Sequence, residues 1–169
     1  MDTSALLREA FGRIEPLVKA AVEDLDSNQL AASPEPRANS IAWLVWHLTR
    51  VQDDHVADVA GAEQVWTSRG WAERFQLPFD TSATGYGHGE KEVAAVRPDS
   101  ADLLTGYYAD VAAQTMAYLG ELRDDDLDRV VDDAWDPPVT LGVRLVSVLG
   151  DDLEHVGQAA YVRGLVTRR

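Results

Sequence analysis

Ser40-Ile-Ala-Trp-Leu-Val-Trp-His-Leu-Thr-Arg50 places apolar residues around a histidine inside one amphipathic run. Asn39 or Ser40 offers a side-chain oxygen to the free N–H groups of a first helical turn, and Gly61 supplies a stop, so the pattern predicts a long helix over about 40–60. His47 then lies on the apolar face of that helix, flanked by Trp43 and Trp46. Tryptophans on such a face read first as core packing, and they can also wall an apolar pocket beside the histidine.

Three further helical patterns surround this one. Residues 3–24 carry Leu6, Leu7, Phe11, Ile14, Leu17, Val18 and Val22 at three-and-four spacing, with Pro16 inside the run as a candidate kink. Ser33-Pro-Glu-Pro-Arg37 breaks the chain before the second helix. Pro98-Asp99-Ser100 opens a third helix with Leu103, Leu104, Tyr107, Tyr108, Val111, Thr115, Tyr118 and Leu119 on its apolar face, ending near Gly120. Thr140 caps a fourth that runs to about Arg163, with Gly164 just beyond. Arg163 is expected to interact with the C-terminus of that helix rather than with an anion.

Residues 62–98 are less regular. Trp66, Trp71, Phe75 and Phe79 are buried anchors there, and Asp80-Thr-Ser-Ala-Thr-Gly-Tyr-Gly-His-Gly89 is rich in turn formers. A connection this long in a compact domain is usually functional or mobile. No strand period of convincing length and no internal repeat is visible. The expectation is one all-α domain over residues 1–169: a four-helix bundle with a long connection between helices 2 and 3. Bundles build their sites between facing helices.

The composition narrows the function classes. The formal net charge of −14 repels phosphate backbones and anionic membrane surfaces, which disfavours nucleic-acid and membrane partners. Lys19 and Lys91 are the only lysines against 13 arginines, a composition that suggests a high-GC genome. Cysteine is absent, so any thiol chemistry must use an external thiol. The first residues lack a basic and apolar leader, and no apolar run approaches the ~18 residues of a membrane span, so a cytoplasmic protein is expected.

Asp151-Asp-Leu-Glu-His155 is the second informative segment. Asp151 and His155 sit one helical turn apart, about 40° around the axis, and can face one cation. With His47 they make a set of two imidazoles and a carboxylate that suits zinc, and equally nickel, iron or manganese. Three protein ligands leave a position open for chemistry. The residues alone leave duller readings open: a hydrogen-bonded core histidine at 47, and a surface pair at 151 and 155. Asp54 returns to within about 20° of the His47 direction two turns on, and His55 is rotated by about 80°. Asp54 is therefore the candidate to support a ligand imidazole brought from elsewhere, whereas Asp53 and Asp58 read as a solvated acidic face. In Gly85-Tyr-Gly-His-Gly89, Tyr86 and His88 offer a phenol and an imidazole to a ligand, without the helix-entry context of a nucleotide-binding loop. An unliganded surface turn fits that loop equally.

Ile41-Ala-Trp-Leu-Val-Trp-His-Leu-Thr-Arg50, then Thr84-Gly-Tyr-Gly-His88 with Val93-Ala-Ala-Val-Arg97, then Asp151-Asp-Leu-Glu-His-Val-Gly-Gln-Ala-Ala-Tyr-Val-Arg-Gly164 resemble the DinB superfamily. Within it they are similar to an actinobacterial branch related to mycothiol-dependent maleylpyruvate isomerase. The resemblance spans essentially the whole chain. It implies a bundle of up-down-down-up topology, often dimeric, with a divalent metal on His47, Asp151 and His155. Asp151 stands where the isomerase carries a longer Glu. The implied function is a metal-dependent thiol S-transferase whose metal, zinc first, activates a low-molecular-weight thiol such as mycothiol toward an electrophilic substrate. Tyr86 and His88 would contact substrate or move protons, and Trp43 would shape the pocket. Two alternatives stand beside it: a metal-dependent hydrolase that activates water, and a non-catalytic, stress-related bundle that binds metal or ligand.

Overall fold

A computed structural model describes residues 1–168. The chain is mostly helical, and one two-stranded sheet is the exception. The first helical pattern is divided into α1 (Thr3–Gly12) and α2 (Ile14–Val22). Pro16 has no N–H for the Gly12 carbonyl and its ring crowds that carbonyl, so the break falls a few residues before the proline rather than at it. A short α3 (Ser27–Ala31) follows. Its start is a capping box: Asp26 accepts from the Gln29 backbone N–H at 2.8 Å, and the Gln29 side chain accepts from Asp26 N–H at 3.0 Å.

α4 (Ile41–Ala60) has the predicted ends: Ser40 Oγ accepts from Trp43 N–H at 3.2 Å, and Gly61 closes the helix in the left-handed region at φ 63°. The irregular connection contains three short helices, α5 (Val65–Ser68), α6 (Trp71–Phe75) and α7 (Glu90–Ala95). α8 (Ala101–Glu121) begins after Ser100 as expected, but Gly120 lies inside its last turn. A 3₁₀ turn at Asp124–Asp128 leads to β1 (Val130–Asp132) and β2 (Val139–Thr140), which pair antiparallel with Val130 opposite Thr140. Strands this short cannot display a period of two, which is why sequence pattern misses them. α9 (Leu141–Val166) is capped by Thr140 and runs past Gly164. No helix among the described residues is long and apolar enough to cross a membrane.

The long helices meet through identifiable pairs. Ser4 Oγ donates to the Leu119 carbonyl at 2.7 Å, joining the start of α1 to the end of α8. Gln52 Nε2 donates to Thr115 Oγ1 at 2.7 Å between α4 and α8. His47 lies against Asp151 and His155, and His55 against Arg144, so α4 and α9 touch along most of their length. Ile14, Val18, Leu44, Leu48, Leu104, Tyr108, Val111 and Val156 fill the larger core cluster. Phe11, Val59, Leu119, Leu141, Leu145 and Val148 fill the second. Arg163 does not serve its own helix end. Its guanidinium donates to the carbonyls of Ala21 and Glu23, because the last carbonyls of α2 have no helical partner.

Asp53 departs most from expectation. Asp58 is exposed as predicted, but Asp53 is 1% exposed. Its carboxylate accepts from Val65 N–H at 2.8 Å, from Trp66 N–H at 2.7 Å and from the Tyr107 hydroxyl at 2.8 Å. Arg50 Nη1 is 3.6 Å away and equally buried. The carboxylate thus caps the start of α5 and anchors the irregular connection onto α4.

Candidate metal centre

α4 delivers His47 and α9 delivers Asp151 and His155, and one ligand atom from each lies within 4.8 Å of the other two. His47 Nδ1–H donates to the Thr84 carbonyl at 2.6 Å. His155 Nδ1–H donates to Gln158 Oε1 at 3.1 Å. With both Nδ1 positions assigned to oxygen acceptors, both Nε2 lone pairs are left for the site, the usual outer support of a ligating imidazole. Asp151 Oδ1 is 3.5 Å from His155 Nε2, so the shorter aspartate still reaches. Its Oδ2 is buried and has no hydrogen-bond partner among the described residues. Burying an unpaired carboxylate oxygen is costly, and a cation between it and two imidazole nitrogens would offset that cost. The donor set therefore fits a divalent ion. The neighbouring Asp152 turns away into the core and is 0% exposed.

The two imidazoles are tuned in opposite directions. Contact with Asp151 holds His155 above the ordinary imidazole value of 6.5, while burial pushes His47 below it. In the metal-free protein the first proton therefore goes to His155. The stability gained from that raised pKa is present below about pH 6.5 and is lost as pH rises through the folded value. A histidine NMR titration of metal-free protein is expected to place His155 above 6.5 and His47 below it, with Asp151→Asn lowering His155. The reverse order would contradict this electrostatic account.

Trp43 forms one wall. Its indole stacks on His47 with ring centroids 4.5 Å apart, presents an edge to His155 at 6.3 Å, and donates Nε1–H to His88 Nδ1 at 3.3 Å. His88 in turn stacks on Trp46 and leans on Phe79. Burial keeps the His88 pKa below its ordinary value. The structure thus brings Trp43 and His88 to the triad, whereas Tyr86 is 94% exposed and stands clear of it. Asp54 does not support an imidazole: Gln64, arriving from the connection, donates Nε2–H to it at 2.7 Å.

Several contributors were not legible as site residues. The Thr84 carbonyl orients His47, Gln158 orients His155, and Arg50 pins the intervening loop by donating to Ala83 O at 3.1 Å and Thr81 O at 3.5 Å. Gly85 stands in the glycine-rich loop, and what it approaches is the His47 ring. It has φ +102°, and a Cβ there would sit 2.6 Å from His47 Nδ1 and 3.1 Å from the Trp43 ring. Gly85→Ala is expected to displace the His47 ring and weaken metal binding by at least the ~10–100-fold typical of lost outer support. Unaltered metal affinity in that variant would show that the loop does not position His47.

Known proteins give these features a context. No curated protein matches the chain significantly. The crystal structure of a conserved protein from Enterococcus faecalis is similar throughout, with 31% identity, a TM-score of 0.93, and coverage of 100% of this chain and 99% of that one. The model of the mycothiol-S-transferase family matches residues 5–168. With the match running through α4, the 84–88 loop and α9, the chain belongs to the mycothiol-S-transferase family.

Proposed function

We propose that the chain is a divalent-metal-dependent thiol S-transferase in which His47, Asp151 and His155 hold the ion and mycothiol is the thiol. The observation that carries this reading is the convergence of two imidazole nitrogens and a carboxylate with an orphaned buried oxygen, in a chain of this family. Zinc suits the donors best, and nickel, iron and manganese accept the same set. When bound, the ion supplies Lewis acidity that lowers the pKa of a thiol toward neutrality. A cysteine-free chain has no thiol of its own to compete for it.

The remaining roles fall to side chains. Thr84 and Gln158 fix the two ligand rings, and Trp43 keeps water from one side. His88 accepts from Trp43 on Nδ1, so its proton resides on Nε2, where it can be donated to a developing anion on the electrophile. The exposed Tyr86 can meet substrate only from the loop's outer side.

As a fold, we read the chain as a single-domain four-helix bundle of α1 with α2, α4, α8 and α9. The pairs Ser4–Leu119, Gln52–Thr115, His55–Arg144 and Arg163–Ala21 support an up-down-down-up topology. A cytoplasmic homodimer completes the proposal, and sedimentation at working concentration tests the dimer. The functional test is turnover of an electrophile by metal-loaded protein. Activity that needs both metal and mycothiol is expected. Ester or amide hydrolysis without any thiol would instead favour water activation.

A further inference from the structure

The face shared by α4 and α9 continues beyond the metal-binding triad. Along α4 it runs from His47 to His55 and Asp58, and along α9 from His155 and Asp151 to Arg144. The bond from Arg144 Nη1 to His55 Nδ1 at 3.2 Å fixes that register. His55 follows His47 by eight residues, about 12 Å along a helix axis. Here a cavity of about 480 Å³ opens, lined chiefly by Asp54, His55, Asp58, Gln64, Asp132 and Arg144. That volume suits a small-molecule fragment.

The lining selects the chemistry of the occupant. Arg144 is engaged by Asp132 at 2.9 Å as well as by His55. Since His55 Nδ1 accepts, the neutral ring keeps its proton on Nε2 as a donor. Three carboxylates against one guanidinium repel phosphates and carboxylates. A second metal is not indicated, because among the described residues the triad is the one place where three ligating groups converge. A mixture of carboxylate acceptors with imidazole and guanidinium donors matches hydroxyl groups, which both donate and accept.

We propose that this cavity binds the hydroxyl-rich tail of the thiol substrate, with Asp58, His55 and Arg144 as its recognising groups and the sulfur at the triad. The inference rests on the thiol-transferase reading. Its test compares mycothiol with N-acetylcysteine, a thiol without that tail, in wild type, Asp58→Ala and Arg144→Gln. The kcat/KM preference for mycothiol is expected to fall tenfold or more in both variants. Equal losses with both thiols, or an unaltered preference, would overturn the proposal. Asp58 is exposed, so its replacement leaves the core intact. If wild type turns over neither thiol, the transferase reading fails, and saturation-transfer NMR with myo-inositol, on metal-loaded wild type and on the variants as purified, decides the cavity separately. A signal lost in Asp58→Ala and kept in His47→Ala supports it. No signal, or one indifferent to Asp58→Ala, overturns it.

Discussion

His47→Ala and Asp151→Ala are each expected to reduce bound metal from about one ion per chain to a small residue, and thiol transfer with it. Loss of a group that merely orients a ligand typically costs ~10–100-fold in metal affinity, and loss of a ligand itself must cost more. Among the described residues the site has no spare donor to compensate: Asp152 is buried on another side of α9, and His88 is held by Trp43 and Trp46. Both variants should remain folded. His47 sits at the rim of the core, and Asp151→Ala removes a buried oxygen that has no partner. Metal analysis after dialysis, with circular dichroism as the folding control, reads the effect. Full stoichiometry in either variant would remove that residue from the ligand set.

Asp53→Ala should act on the fold instead. Removing the carboxylate leaves the Arg50 guanidinium buried without its counter-charge and strips the acceptor from two backbone N–H groups and the Tyr107 hydroxyl. Breaking one side of a buried pair costs about 3–5 kcal/mol, which in a domain of this size lowers Tm by roughly 10 °C. Arg50 also holds Thr81 and Ala83, so the damage should spread to the Thr84 carbonyl and loosen His47. Thermal unfolding of the metal-free variant measures the first effect, and metal affinity the second. A change below about 1 kcal/mol, the range of exposed ion pairs, would show that the pair is not insulated from solvent.

Asp53 also shows where sequence reading stops. Helix α4 was legible because Ser40 and Gly61 are local signals, and the Asp151–His155 pair because one-turn spacing is a property of any helix. Spacing offered His47 as the third ligand without excluding a core histidine, and resemblance singled it out, since nothing local states which helix faces which. Asp53, Asp54 and Asp58 look alike in sequence, yet one is buried under α5, one is held by Gln64 and one faces solvent. The difference arises from the path of residues 62–83, an irregular segment with no period to read. Thr84 escaped notice for a related reason: it acts through a backbone carbonyl, which every residue has. Gly85 was visible as part of a glycine-rich turn, but its closeness to His47 is a tertiary fact.

Whether thiol reaches a metal held by His47, Asp151 and His155 is read by a mycothiol titration of the cobalt-substituted protein, followed by its absorption spectrum. A saturable change in the cobalt bands with mycothiol is expected, absent in His47→Ala. A cobalt spectrum that binds one ion per chain yet ignores mycothiol at every concentration would contradict it.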